Sequence, residues 1–182
     1  MNARYIFHLR SASGRLGLPS KIILGQRVME TAGHVLLKLL TYLIFFRERL
    51  QIDPRLDPDE IPFEPDLAQL DYSLRPVLWV ECGECSVNRL DRLAVKVPEA
   101  AIWVVKRSEA EVEELIPAMA HQKLRRDRYH LLGLDAAMFE EALGSLRSRN
   151  EVFWMEAGFD PGRLQFDFNG LWFDAPFRVW KF

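Results

Sequence analysis

Glu30, His34 and Lys38 recur at four-residue steps, the spacing that lines side chains along one stripe of an α-helix. A carboxylate, an imidazole and an ammonium so aligned can ligate a divalent cation or move a proton. The plainer role for Glu30 is that of an acid favoured by the dipole at a helix start. Glu81 closes the apolar run Val77-Leu78-Trp79-Val80, two residues before Gly83. A carboxylate at the carboxyl end of a strand is where α/β folds build sites. It is also simply where a strand meets water.

Cys82-Gly83-Glu84-Cys85 spells a C-x-x-C. One such pair gives at most two of the four thiolates of a structural zinc site, and the four histidines (8, 34, 121 and 130) have no zinc-finger spacing. A redox reading wants the pair at a helix start after a strand, a context this position approximates. Arg89, Arg92 and Lys96 share one helical face and can hold phosphate or form a solvated surface paired with Asp91 and Glu99. The densest basic run, His121 to Arg128, reads as a polar helix end before a strand rather than as a nucleic-acid patch. No glycine-rich phosphate loop, Gly-x-Ser-x-Gly elbow or His-Glu-x-x-His is present.

The elements that must position these groups follow from periodicity. Tyr5, Phe7 and Leu9 alternate with polar neighbours and predict a strand; Gly14 and Gly17 mark a turn, and Lys21 to Leu24 returns. Helical patterning runs from about Val28 to Arg49 and is apolar on nearly every side, which predicts burial. Val77 to Glu81 predicts a strand, Val87 to Val95 a helix, and Ala100 to Val105 a strand covered on both faces. Ser108 caps a further helix, Tyr129 to Leu134 is a strand, and Asp135 caps a helix reaching Leu146. Glu151–Glu156 and Arg163–Phe168 flank Asp160-Pro161-Gly162, and Asn169-Gly170 is a hairpin turn before Leu171. Such a series argues for one α/β or α+β domain spanning residues 1–182.

The chain has 182 residues, 49% hydrophobic and 27% charged, enough to bury a core without disulfide or metal staples. A formal net charge of −2 excludes a uniformly basic nucleic-acid coat, but it hides an asymmetry. Residues 1–50 carry eight Lys/Arg against two acids, whereas residues 51–76 carry seven acids, two arginines and five of the ten prolines. That run cannot be a long helix and reads as an extended connection. The longest greasy stretch, Val35 to Phe46, is too short to span a bilayer, and the start of the sequence shows no export signal. With only two cysteines, the expected compartment is a reducing cytoplasm.

Several segments, in order, resemble the YaeQ-like family of bacterial proteins: Glu30-Thr31 before Leu37-Lys38-Leu39-Leu40-Thr41-Tyr42-Leu43, then Glu48-Arg49-Leu50-Gln51, Leu78-Trp79-Val80-Glu81 with Gly83, and Val152-Phe153-Trp154. That family is placed in the PD-(D/E)XK nuclease-like superfamily, so the resemblance implies a restriction-endonuclease-like αβββαβ core, a mixed sheet flanked by helices. It implies Mg²⁺- or Mn²⁺-dependent phosphodiester hydrolysis, with Glu30 and Glu81 as metal ligands. Val77 stands where the pattern expects an aspartate four residues before the strand glutamate, and Gly83 stands where it expects a lysine. Asp66, in a literal Pro65-Asp66, or Asp71 replaces the missing acid only if the acidic connection folds back. Arg92 matches the helix position of a compensating lysine, with Arg89 and Lys96 as further phosphate contacts.

The Val77 and Gly83 departures favour a catalytically degenerate protein that binds nucleic acid or a protein partner, with no membrane association. The alternative is a Mg²⁺-dependent nuclease with a rearranged site. A thiol enzyme built on Cys82 and Cys85 is the remaining option.

Overall fold

The structure is a computed structural model that describes residues 3–12, 14 and 17–182. Its elements are β1 (Arg4–Ser11), β2 (Lys21–Gly25), α1 (Ala32–Phe45), β3 (Leu50–Ile52), β4 (Leu67–Leu70), β5 (Pro76–Cys82) and α2 (Val87–Lys96), followed by β6 (Ala101–Lys106), α3 (Glu109–His121), β7 (Tyr129–Leu134), α4 (Ala136–Gly144), β8 (Arg149–Phe159), β9 (Gly162–Phe168) and β10 (Leu171–Lys181). The ten strands form one mixed sheet in the order β2-β1-β8-β9-β10-β7-β6-β5-β4-β3. Pairs β1–β8, β5–β6 and β6–β7 are parallel and the others antiparallel. This is the α+β architecture expected, and the run α1-β3-β4-β5-α2-β6 has the αβββαβ order.

Local chemistry sets the helix starts. Thr31, Ser86, Ser108 and Asp135 each accept a hydrogen bond from the backbone N–H three residues on, satisfying a donor that the first turn leaves unpaired. α1 is shorter than its apolar pattern suggests, because Thr31 caps it and Phe46 leaves helical geometry. Glu30 therefore precedes the helix instead of occupying its first turn. At the last hairpin Asn169 and Gly170 both have positive φ, 54° and 87°, as a tight two-residue connection requires.

Two hydrophobic layers cover the sheet. α1 and α4 pack with Phe7, Leu78, Val80, Trp154 and Phe166 on one face. α2 and α3 pack with Trp79, Ile102, Val104, Tyr129 and Leu131 on the other. Side chains alternate along β5, so Val80 faces the α1 layer and Trp79 the α2 layer. Lys38 and Thr41 are fully buried in α1. None of the helices among the described residues is long and apolar enough to cross a membrane.

The acidic segment 51–76 differs from the purely extended connection read from its prolines. It contains β3 and β4, which pair antiparallel and join β5, with Leu67 opposite Val80. The prolines at 54, 58, 62 and 65 fall between those strands, where a missing N–H breaks no ladder bond.

Candidate functional site

The β3–β4–β5 pairing fixes the position of Asp66, just ahead of β4. Its backbone N–H donates to the Val80 carbonyl at 3.2 Å, and its carbonyl accepts from Asp53 N–H at 2.8 Å. Its side chain is then held from two sides. Oδ2 accepts the Cys82 backbone N–H at 2.7 Å, and Oδ1 lies 2.8 Å from His34 Nε2. His34 Nε2 also stands 3.7 Å from Glu30 Oε1. Glu30, His34 and Asp66 each offer a ligand atom, all within 4.8 Å of one another, the one such group among the described residues.

Glu30 is anchored from below by Lys38. The Lys38 ammonium, with no side-chain exposure, donates to Glu30 Oε1 at 2.9 Å and to both Asp53 oxygens at 3.1 and 2.9 Å. Burial alone would lower the lysine pKa, but bonds to Glu30 and Asp53 outweigh it and hold the amine above its ordinary value. Above the carboxylates, Arg27 donates its backbone N–H to Glu30 Oε2 at 3.0 Å and reaches Asp53 and Glu64 at 3.2 and 3.1 Å. Arg27 and Lys38 of the basic N-terminal region thus meet Asp53 and Glu64 of the acidic connection here.

Glu81 leaves β5 on the α2 side, with the parity of Trp79. Its Oε1 accepts from Trp79 Nε1 at 2.8 Å and from Arg89 Nε and Nη2 at 3.3 and 2.9 Å. Burial raises its carboxyl pKa, opposed by the Arg89 guanidinium and the Trp79 N–H. Arg89 also donates to the Glu64 carbonyl at 2.7 Å. Glu30, Asp66, Glu81, His34, Arg27 and Arg89 all line one open cleft of about 880 Å³ at the carboxyl end of β5. Glu81 stands outside the tight three-residue group but lines the same cleft.

Other expected positions lie elsewhere. Asp71 is in the β4–β5 turn, where its carboxylate accepts from Ser73 and Arg75 backbone N–H groups at 2.8 and 2.9 Å. Arg92 packs its guanidinium 5.1 Å from the Phe63 ring centre and does not line the cleft; Lys96 lines a separate cavity beside Pro98. The α2 arginine that lines the cleft is Arg89, one turn nearer the strand end. Gly83 has φ +72°, its N–H donates to Val105 and its carbonyl accepts from the buried Lys106 ammonium at 2.6 Å. A lysine at position 83 would be forced into that left-handed conformation.

Neither cysteine is primed for chemistry. Burial and the nearby Asp66 charge hold the Cys82 thiol well above its ordinary value, and burial with the Glu81 charge pushes Cys85 up to about 12. A nucleophilic or metal-binding thiol needs the opposite shift.

Sequence reasoning missed Arg27, Asp53 and Glu64, and ranked Arg92 over Arg89. Leu50-Gln51-Ile52 carried an alternating signal that pointed to a strand ending at Asp53, but the adjacent prolines masked it.

The residues fit a divalent cation. Two carboxylate oxygens and an imidazole nitrogen converge on an open cleft, and each carboxylate keeps a hydrogen-bond partner that aims it. Oxygen donors suit Mg²⁺, and the added nitrogen suits Mn²⁺.

The sequence matches the family model described as YaeQ protein over residues 20–154. No curated protein matches it. Among solved structures, the chain is similar to the YaeQ protein from Pseudomonas syringae, with a TM-score of 0.73 at 17% identity over 100% of this chain and 97% of that one. It is also similar to the YaeQ protein from Xanthomonas axonopodis pv. citri, with a TM-score of 0.65 at 19% identity over 98% of this chain and 97% of that one. Those TM-scores establish a shared fold, and the family match spans well over half of the sequence. The chain belongs to the YaeQ family.

Proposed function

We propose that the cleft holds a divalent cation on Glu30, Asp66 and His34, with Glu81 beside it, and serves phosphodiester hydrolysis on nucleic acid in the manner of the PD-(D/E)XK superfamily. The observation that carries this reading is the return of Asp66 to the end of β5. The acid missing from position 77 is supplied from the neighbouring strand, through Pro65-Asp66.

A bound Mg²⁺ or Mn²⁺ would neutralise charge on the phosphate and lower the pKa of its water. The chain's own groups have separable tasks. Lys38 fixes the Glu30 carboxylate, and the Cys82 N–H fixes that of Asp66. Arg27 and Arg89 place permanent positive charge on the two walls, suited to phosphate oxygens. Glu81, whose carboxyl pKa is raised by burial against the opposing pull of Arg89 and Trp79, stands beside these groups in the cleft lining.

Mn²⁺ titration followed by electron paramagnetic resonance tests the site. Wild type should bind, and Asp66→Asn and Glu30→Gln should each lose most of the affinity. No binding at millimolar metal overturns the reading. Cleavage of DNA or RNA with Mg²⁺ should disappear in Glu81→Gln.

One observation favours a second reading, a degenerate site that only binds nucleic acid or a protein partner. Glu81 Oε1 is already occupied by Trp79 and Arg89, and no lysine stands at position 83. Metal-dependent nucleic-acid binding with no cleavage of any substrate would select it.

A further inference from the structure

The main cleft does not end at His34. A second cavity of about 250 Å³ is lined by Thr31, His34, Leu37, Gly83, Glu84 and Arg107. Thr31, His34 and Glu84 belong to the walls of both chambers. The two chambers therefore adjoin along these three residues, with Arg27 and Arg89 lining one and Arg107 the other.

Gly83 lies in the lining of the second chamber. Its backbone is left-handed, its N–H donates to the Val105 carbonyl, and its carbonyl accepts from the Lys106 ammonium. A Cβ built there would stand 3.5 Å from His34 Nδ1 and 3.7 Å from Leu37, ordinary contacts, so the left-handed backbone is what calls for glycine. Arg107 of the second chamber is the residue after β6; its side chain is 44% exposed and oriented by Glu111, with Nε–Oε1 at 2.8 Å. Its guanidinium keeps a free edge for a second acceptor. The exposed Glu84 on the shared wall repels a phosphate that stops midway.

We infer that Arg107 forms a phosphate subsite for a nucleic-acid strand that runs through the cleft, so that the preferred ligand is a polynucleotide and not a single nucleotide or dinucleotide. The subsite rests on the phosphodiester reading of the main cleft. Two arginines line the main cleft and one the second chamber, with Glu84 on the wall they share. A strand is thereby registered by two phosphates, one facing Arg27 and Arg89 and one facing Arg107.

The test is fluorescence anisotropy with Ca²⁺ in place of Mg²⁺, using a single-stranded oligodeoxynucleotide that covers both chambers and a dinucleotide as the short probe. Arg107→Ala should weaken oligonucleotide binding about fourfold at 0.15 M salt and lower the slope of log affinity against log salt by about 0.7, the loss of one phosphate contact to a single strand. The ratio of oligonucleotide to dinucleotide affinity should fall by the same factor. Glu84→Gln should move both quantities in the opposite direction. An unchanged ratio and slope in Arg107→Ala overturns the subsite. Wild type that binds Mn²⁺ but neither probe also overturns it while leaving the cation site standing; wild type that binds no metal overturns the underlying reading of the cleft.

Discussion

The two walls of the cleft are built on opposite electrostatic plans. On the α1 wall, a fully buried ammonium is surrounded by Glu30 and Asp53, and Arg27 closes over them. On the α2 wall, Glu81 is buried but its partner Arg89 keeps about a third of its side chain in solvent. α1 is buried continuously from Val35 to Phe45, whereas α2 buries only Val87, Leu90, Leu93 and Ala94. The first wall locks charge inside the fold; the second presents charge at its edge. A buried pair punishes loss of one member far more than an exposed pair does.

The largest expected effect follows on the α1 wall. Lys38→Met leaves two carboxylates without their shared cation and should cost about 3–5 kcal/mol in urea unfolding. Because the folded lysine pKa is raised, its stabilisation is fully present below the ordinary value of 10.5 and is lost as pH rises through the higher folded value. The variant should lack that alkaline decline. A loss below about 1 kcal/mol would mean the two walls do not differ as described.

On the α2 wall, Arg89→Ala should cost about 1–3 kcal/mol by leaving Glu81 short of partners. Arg92→Ala, one turn away over Phe63, should stay within about 0.5 kcal/mol and leave Mn²⁺ affinity unchanged. Equal effects of the two arginines on metal affinity would erase the distinction between them.

Between the walls, Gly83→Lys should not restore the lysine that the superfamily pattern expects. The left-handed backbone should cost about 1–2 kcal/mol, and the proposed nuclease activity should fall instead of rising. Increased turnover would overturn that account of Gly83.

The smallest effect is in pH dependence. The Glu81 carboxyl is raised on folding, chiefly by burial, so its stabilisation is fully present below the unfolded value and declines as pH rises through the folded one. Glu81→Gln should flatten the wild-type stability profile just above the usual carboxylate range, measured by thermal melts across pH. A parallel profile would show that Arg89 fully compensates the burial.

Much of the scaffold was legible because it rests on local rules. The caps at Ser108 and Asp135, the Asn169-Gly170 turn and the doubly covered β6 depend on near neighbours and on periodicity. The short strands β3 and β4 were not, because pairing with β5 outweighs the weak strand signal of a proline-rich run. Arg89 and Arg92 illustrate the same limit at single-residue scale. Both lie on one helical face, but a shift of about 4.5 Å along the axis decides which reaches the strand end.

The sequence by itself determined that Glu30 and Glu81 stand at element boundaries, that α1 is buried, and that an acidic stretch follows a basic one. Those properties reside in residue type and spacing. Only the tertiary structure decided that Asp66 completes the group with Glu30 and His34, that Asp53 and Lys38 brace it, and that Arg89 faces the cleft. Each depends on strand register between residues distant in sequence, and register is set by the packing of whole layers.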